Sequence, residues 1–293
     1  MDPRLLQTFS AVVTQGSFSK AAGQLGYTQS AVSQQIASLE AELGVELIRR
    51  RPVGPTEAGA RLLDHVAPIL LRINTARAEI QRLTSGPTGR LSVGVCPLAA
   101  TARTLRITGE VARRAGVHEF TVRTLPRQAV AEGVATGTLD LGLVDGFALP
   151  DDPLRPFRTD RLRTVPVCRE PVVVALPPTH PLAHRTGLRL PDLVDARWID
   201  APDVSAPLAD LRAVLGDGPE LRVALRYDGL DVRTYAELLA GGQGLGLLPR
   251  SVLTGRQDLT GVPLTAPELT HRVEALRLAD GPPVVDDLVA SLR

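Results

Sequence analysis

Leu5, Leu6, Phe9, Val12 and Val13 recur at helical spacing near the start of the chain and predict a first helix, which Gly16 ends. Ser17 is placed to cap a second helix carrying Ala21, Ala22 and Leu25. After a turn at Gly26-Tyr27, Thr28 is a natural N-cap for a third helix, which runs to about Leu43 before Gly44 stops it. Two helices joined by a short glycine-containing turn make a helix-turn-helix. On the third helix Val32, Ile36, Leu39 and Leu43 fall on one apolar stripe. The opposite face presents Ser30, Gln34, Ala37 and Ser38, with Gln29 and Ser33 near the start. Such small hydroxyl and amide side chains suit the DNA major groove, where Gln pairs bidentately with adenine and Ser accepts or donates. A merely solvated helix face has the same polarity. Arg49-Arg50-Arg51, inside a Pro/Gly-bounded segment that ends at Pro55, favours DNA, because three cations beside the groove can neutralise phosphates as a wing does.

From Thr56 the pattern becomes one long helix to about Thr84. Leu62, Val66, Ile69, Ile73, Ala76, Ile80 and Leu83 alternate spacings of four and three, a heptad seam that predicts pairing with a second copy. Packing on its own domain is the plainer alternative. Pro68 interrupts the seam and removes one backbone donor. Ser85-Gly86-Pro87-Thr88-Gly89 reads as a linker. Strands and helices then alternate: strands at Leu91–Val95, Phe120–Thr124 and Leu139–Val144, with helices between them. A second set begins at Pro171–Leu176 and ends at Gly244–Leu248. This βαβ order predicts parallel sheets, which bind ligands at the carboxyl ends of their strands.

Composition changes this picture little. The chain has 293 residues, 44 % hydrophobic and 22 % charged, which suits a folded globular protein of about two domains at roughly 100–200 residues each. Aromatic residues are only 3 %, so the cores are aliphatic. The net charge of +1 resolves into +2 over residues 1–85 and −1 beyond, so any DNA contact comes from local clusters. No apolar run reaches the ~20 residues needed to span a bilayer, and two cysteines, Cys96 and Cys168, make no disulfide framework. A cytoplasmic location is expected, with no membrane partner.

Several motifs in order and spacing resemble the LysR-type transcriptional regulators: Gln15-Gly-Ser-Phe-Ser-Lys-Ala-Ala22, Thr28-Gln-Ser-Ala-Val-Ser-Gln-Gln-Ile36, Leu39-Glu-Ala-Glu-Leu-Gly-Val45 and Pro55-Thr-Glu-Ala-Gly59. Weaker likenesses follow at Leu139–Gly142, Val174–Leu182 and Leu239–Pro249. The resemblance implies an α/β protein with an N-terminal all-α winged helix-turn-helix (1–58), a long linker or dimerisation helix (59–85) and a two-lobed, periplasmic-binding-protein-like effector domain (86–293). Lobe I would take about 90–166 and 263–293, and lobe II about 167–262. It further implies a homodimer or a homotetramer built as a dimer of dimers, on double-stranded promoter DNA, with a small molecule in the inter-lobe cleft altering promoter activity. Carried over by position, Gln29, Ser30, Ser33 and Gln34 read bases, Thr28 caps the recognition helix, Ser17 caps the helix before it, and Arg50 and Arg51 hold phosphates. The wing from Arg49 to Pro55 is about two residues shorter than is usual in the family.

The family often places a hydroxyl after the first strand of lobe I to hold an effector carboxylate. Here that place reads Cys96-Pro97-Leu98-Ala99-Ala100-Thr101, with no hydroxyl before Thr101 and no N–H at Pro97. Arg127-Gln128 would supply a second cleft position, and Asp200-Ala201 and Tyr227 the lobe II side. The expected effector is therefore either more apolar or an acid held through Arg127.

Other classes fare worse. The five histidines are scattered, and His180-Pro-Leu-Ala-His184 lacks the helix and the carboxylate of a zincin, so no catalytic residue, metal or cofactor is assigned. Gly241-Gly-Gln-Gly-Leu-Gly246 precedes a strand instead of following one, as a helix-to-strand turn does. A thiol sensor built on Cys96 and Cys168 and a ligand-independent architectural DNA-binding protein remain as alternatives. The first lacks an activating neighbour beyond Arg169, and the second leaves a large two-lobed domain without a purpose.

Overall fold

A computed structural model describes residues 1–84, 89–152, 154, 162–215, 221–279 and 281–293, with some side chains of α4 and α7 undescribed. It divides into two compact units, residues 1–84 and 85–293, each with its own core. The expected linker at Ser85–Thr88 lies outside the described residues.

In the first unit, local capping decides where each helix starts. Asp2 accepts the Arg4 N–H at the head of α1 (Pro3–Gln15), and Ser17 accepts that of Lys20 at the head of α2 (Phe18–Leu25). Thr28 accepts the Ala31 N–H at 3.2 Å to open α3 (Gln29–Leu43). All three helices end at left-handed glycines, Gly16, Gly26 and Gly44, as expected from the sequence. Leu6, Phe9, Val12, Val32, Ile36 and Leu39 interlock in the core. Leu43 departs from its expected stripe. It stands in the last turn of α3 and is 37 % exposed, so Leu39 is the last α3 residue in the core.

The wing is a two-stranded antiparallel hairpin, β1 (Ile48–Arg50) on β2 (Val53–Pro55), with Ile48 opposite Pro55 and Arg50 opposite Val53. Its base is held by Glu40, whose Oε1 accepts the backbone N–H groups of Leu47 at 2.8 Å and Ile48 at 3.1 Å. Both donors belong to buried residues and would otherwise lack partners, so the carboxylate ties the wing to α3. Thr56 then caps α4 (Glu57–Thr84) by accepting the Gly59 N–H, while its hydroxyl donates to the Glu46 carbonyl. Twenty-eight residues make α4 roughly 42 Å long at 1.5 Å per residue.

The apolar seam on α4 serves two purposes. Leu62, Val66 and Ile69 pack into the unit's own core, with Val66 fully buried, whereas Ala76 and Ile80 face solvent, Ile80 at 59 % exposure. Packing on its own domain thus accounts for the first turns of the seam. The Leu83 side chain lies outside the described residues.

The second unit is organised by one long strand. β3 (Arg90–Val95), β4 (Glu119–Thr124) and β5 (Leu141–Ala148) are parallel, in the order β4-β3-β5, with α5 (Ala102–Arg114) and α6 (Arg127–Ala135) as crossovers. β6 (Leu162–Leu176) then runs through both halves of the unit. Over its first part it pairs with β12 (Thr270–Leu278), which in turn pairs antiparallel with β5. Over its last part it pairs with β10 (Gly246–Pro249) on one side and β11 (Thr260–Ala266) on the other. Between these segments lie β7 (Leu188–Arg189), β8 (Arg197–Asp200), α7 (Leu208–Leu215), β9 (Arg222–Arg226) and α8 (Val232–Ala240), and α9 (Pro283–Leu292) closes the chain.

The parallel sheet expected of the first three strands is present in β4-β3-β5, whereas β10, β11 and β12 all run antiparallel to β6. The apolar run Val172-Val-Val-Ala-Leu176 is fully buried, as a strand covered on both faces must be, but that burial carries no information about pairing direction. The chain leaves β10 by a short 3-10 turn, Arg250–Leu253, instead of a crossover helix.

Three sets of buried side chains result, the third formed by Leu98, Ile199, Tyr235, Leu239 and Leu248. Val93, Leu141, Leu143, Val165, Ala275 and Leu288 belong to the first, and Val172, Leu190, Trp198, Leu247 and Val262 to the second. Leu264 and Leu269, in the stretch assigned from sequence to lobe I, pack in the second set, and the return to the first begins with β12. Gly241–Gly246 forms the turn from α8 into β10.

One close approach in the first unit is testable. A Cβ on Gly59 would stand 2.1 Å from the Leu47 carbonyl oxygen, which belongs to the backbone and cannot rotate away. Gly59→Ala is expected to cost about 1–3 kcal/mol through overpacking. Hydrogen exchange of the α1–α3 amides in the full chain reads this loss, and unchanged protection would refute the contact.

Candidate functional site

The first candidate site lies on α3 and the wing. Gln29, Ser30 and Gln34 are exposed and Ser33 is half-buried, while Val32 and Ile36 between them are fully buried. The polar face at the N-terminal half of α3 is thus presented outward by the packing of the opposite face. Thr28 keeps the capping role read from sequence, and its hydroxyl also lies 3.0 Å from that of Ser30. Ser17 is spent on its own helix cap. Gln35, which the sequence did not single out, receives the Thr8 hydroxyl at 2.5 Å and so fixes α3 on α1.

Arg49, Arg50 and Arg51 are all exposed on the wing. The Arg50 guanidinium sits over the Phe18 ring at 5.8 Å, which holds this cation beside the start of α2. Two carboxylates near the wing are otherwise engaged or distant from this face: Glu40 binds backbone, and Glu42 pairs with the N-terminal ammonium at 2.6 Å. The arrangement combines hydrogen-bonding side chains on a helix with flanking arginines, the combination that base reading and phosphate anchoring require.

The second candidate site is a cavity of about 260 Å³ in the second unit. Cys96 enters it from the end of β3, Arg127 from the head of α6, and Asp145 to Leu149 from the carboxyl end of β5. Pro202 to Pro207 and the start of α7 provide the facing wall. The site therefore lies where an α/β sheet places ligands.

Of the residues expected here, the structure brings Cys96 and Arg127 to the cavity and not the others. Pro97 and Leu98 are buried in a 3-10 turn (Pro97–Ala99), and Leu98 packs in a core with Tyr235 and Leu248. Thr101 is consumed by a capping box with Thr104. Gln128 donates to Glu132 on the same helix. Asp200 accepts from the Leu208 N–H, Ala201 is fully buried, and Tyr227 stacks on Tyr235 at 6.4 Å.

The sequence reading missed Asp145, Phe147, Asp203, Ser205 and Asp210, all of which line the cavity. A signal for Asp145 exists: an acid directly after the apolar run Leu141–Val144, where a strand leaves its core. Asp203 and Asp210 are far from it in sequence and gave none.

Behind the cavity, His271 is fully buried between two carboxylates. Its Nε2 lies 3.3 Å from Asp145 Oδ2 and its Nδ1 3.6 Å from Glu170 Oε1. Burial alone would lower the His271 pKa, and the two carboxylates reverse this and hold it above its ordinary value. Glu170 is pushed up by burial but more strongly down by the neighbouring His271 ring and by hydrogen bonds from Ser251, so it ends below its ordinary value.

Both thiols sit where burial keeps them protonated. Burial and the Asp145 charge push the Cys96 thiol up to about 12, and burial with Glu170 raises that of Cys168. Neither favours the reactive thiolate. Cys96 follows β3 and Cys168 stands on β6 opposite Val273, with β5 and β12 between them. Three strand spacings of about 4.8 Å put them roughly 14 Å apart, beyond the ~7 Å limit between Cα atoms for a disulfide. Among the described residues no group of three or more His, Cys, Asp or Glu side chains is arranged to hold a metal ion. No helix among them is long and apolar enough to cross a membrane.

A winged helix-turn-helix with an outward polar helix face, followed by a long helix and a cavity-bearing α/β unit, defines a ligand-linked DNA-binding regulator. Comparison with known proteins agrees. Residues 3–60 match the model of the bacterial regulatory helix-turn-helix protein, lysR family, and residues 84–293 match the LysR substrate binding domain. The chain belongs to the LysR family of transcriptional regulators. It is similar to the uncharacterized HTH-type transcriptional regulator YnfL of Escherichia coli K12, with 30 % identity over 253 residues covering 85 % of this chain and 82 % of that one. The small neutral protease regulatory protein of Streptomyces coelicolor is 33 % identical over 257 residues, 83 % of this chain and 72 % of that one. Among solved structures, full-length CbnR in complex with its target DNA shares the fold at a TM-score of 0.54 and 20 % identity, covering 100 % of this chain and 99 % of that one.

Two outcomes follow from the buried groups. Because its folded pKa is raised, His271 contributes stability that is complete below its ordinary value of 6.5 and is lost as pH rises through the folded value. Glu170, depressed, contributes stability that is complete above its ordinary value of 4.5 and is lost as pH falls through the folded value. Urea titrations from about pH 5.5 to about pH 9 should therefore show a loss in the native chain that His271→Gln lacks; parallel profiles would contradict the arrangement. The thiol geometry predicts that peroxide treatment forms no Cys96–Cys168 disulfide, and mass analysis under non-reducing conditions that found this bond would reject it.

Proposed function

We propose that the chain reads promoter DNA through Gln29, Ser30, Ser33 and Gln34 on α3, with Arg50 and Arg51 on phosphates and Thr28 and Ser17 setting the helix starts. A small-molecule effector in the cavity beside Cys96, Arg127 and Asp145 modulates promoter activity. The observation that carries this reading is the exposed, hydrogen-bonding N-terminal face of α3 beside the arginines of the wing. Residues 1–58 form the DNA-binding domain, 59–85 the dimerisation helix and 86–293 the effector domain with two lobes. The exposed part of the α4 seam supports assembly into a homodimer, or a tetramer made from two dimers. The protein acts by binding and not by catalysis, as its relatives are regulators of transcription, and works in the cytoplasm.

Footprinting on the intergenic DNA beside the protein's own gene tests this directly. Protection over several helical turns, weakening steeply with salt as counterions are released, is the expected outcome. No protection at low salt would overturn it. On the protected site, Gln34→Ala should relax base preference at one position by ~1–3 kcal/mol. Arg51→Ala should weaken binding to all sequences alike and reduce the salt slope by about one. An unchanged preferred site in Gln34→Ala would remove that residue from the groove.

A further inference from the structure

The family-based expectation for the cavity was an apolar effector or an acid held through Arg127. Its lining points elsewhere. Four carboxylates, Asp145, Asp152, Asp203 and Asp210, face it, and the one cationic lining residue among those described is Arg127. Arg127 already has Glu274, Asp145 and Asp210 within electrostatic reach, so its charge is met by the protein's own acids. The walls between these groups are apolar, with Phe147, Leu154 and Leu211 among them.

The decisive atom is Asp145 Oδ1. The residue is 8 % exposed and its Oδ2 faces His271, yet Oδ1 is buried with no hydrogen-bond partner among the described residues. A buried carboxylate oxygen without a donor is costly and calls for one. His271 does not cancel the charge, because it lies between Asp145 and Glu170, and one protonated ring shared by two carboxylates leaves a net negative unit. Nothing in the loop after β3 compensates: Cys96 presents a neutral thiol, and Pro97 has no N–H. The crowding of acids also registers on Asp203, whose pKa is raised by burial and by the Asp228 and Asp145 charges.

We infer that the cavity takes a small cationic ligand, an amine or amidine on a compact apolar body, whose N–H donates to Asp145 Oδ1 while Asp203 lies against the same positive end. This rests on the effector reading proposed above and gives that effector its chemical class. The apolar body would lie along Phe147 and Leu211, and a carboxylate in the same place would meet more acids than the single Arg127 offsets.

The test is isothermal titration of the full-length protein with benzamidine and with benzoate, a planar pair of the same shape and opposite charge. Benzamidine should bind at least tenfold more tightly. Asp145→Asn and, as a variant that leaves His271 its partner, Asp203→Asn should each weaken it at least tenfold. Ala148→Trp, which places a bulky ring at a half-buried residue lining the cavity, should abolish binding. Benzoate binding as tightly as benzamidine, benzamidine affinity unchanged in both aspartate variants, or no benzamidine binding by the native chain would each overturn the inference. If benzoate is preferred and Ala148→Trp abolishes it, the cavity stands as the effector site and only the cationic class falls. If a probe binds the native chain and Ala148→Trp leaves that binding intact, the effector reading of the cavity falls as well.

Discussion

The pairing of β6 along nearly its whole length of fifteen residues is the constraint on which the second unit depends. Buried backbone groups must find hydrogen-bond partners, and β6 passes from one core into another. Its partners therefore change midway: β12 pairs with the first part, and β10 and β11 with the last. The change of partner falls at Glu170 and Pro171, opposite His271 and Thr270. At this level no continuous apolar layer is available, which is why polar side chains cluster there.

That cluster links the cavity to the frame. Asp145 belongs to β5, His271 to β12 and Glu170 to β6, so three strands meet at one imidazole, and Ser251, in the turn after β10, joins them through Glu170. His271 Nε2 meets Asp145 Oδ2 and Ser251 donates to Glu170, whereas His271 Nδ1 lies 3.6 Å from Glu170 and Asp145 Oδ1, at the cavity end, has no hydrogen-bond partner among the described residues. A buried polar network of this kind is strong only when complete. A ligand that completed it would act on the strands that join the two cores, a direct physical route from occupancy to the relative disposition of those cores.

In the DNA-reading unit the dependence runs the other way. Local chemistry decides nearly everything: three hydroxyl or carboxylate caps, three left-handed glycines and one apolar stripe per helix. Those features are short-range, so they were legible along the chain, and with them the outward face of Gln29, Ser30 and Gln34. Two contacts were not legible. Glu40 looks like any solvated helix acid until the wing folds back and brings two buried N–H groups to it. Gln35, beside the reading face in sequence, is turned inward to Thr8.

Periodicity, capping and motif spacing thus determined the helix-turn-helix, the wing, the long helix and the alternation of strands and helices, because each depends on neighbours within a few residues. The direction in which β10, β11 and β12 pair, and the composition of the cavity, were decided by tertiary structure alone. Asp145, Asp203, Asp210 and His271 lie up to 126 residues apart, and nothing in a strand's own pattern says which distant strand will lie beside it. Cys96 and Arg127 were legible as cleft residues only through the family resemblance, by their places directly after β3 and at the head of α6. The acids that surround them, and the charge they impose on a ligand, exist only once the sheet has closed.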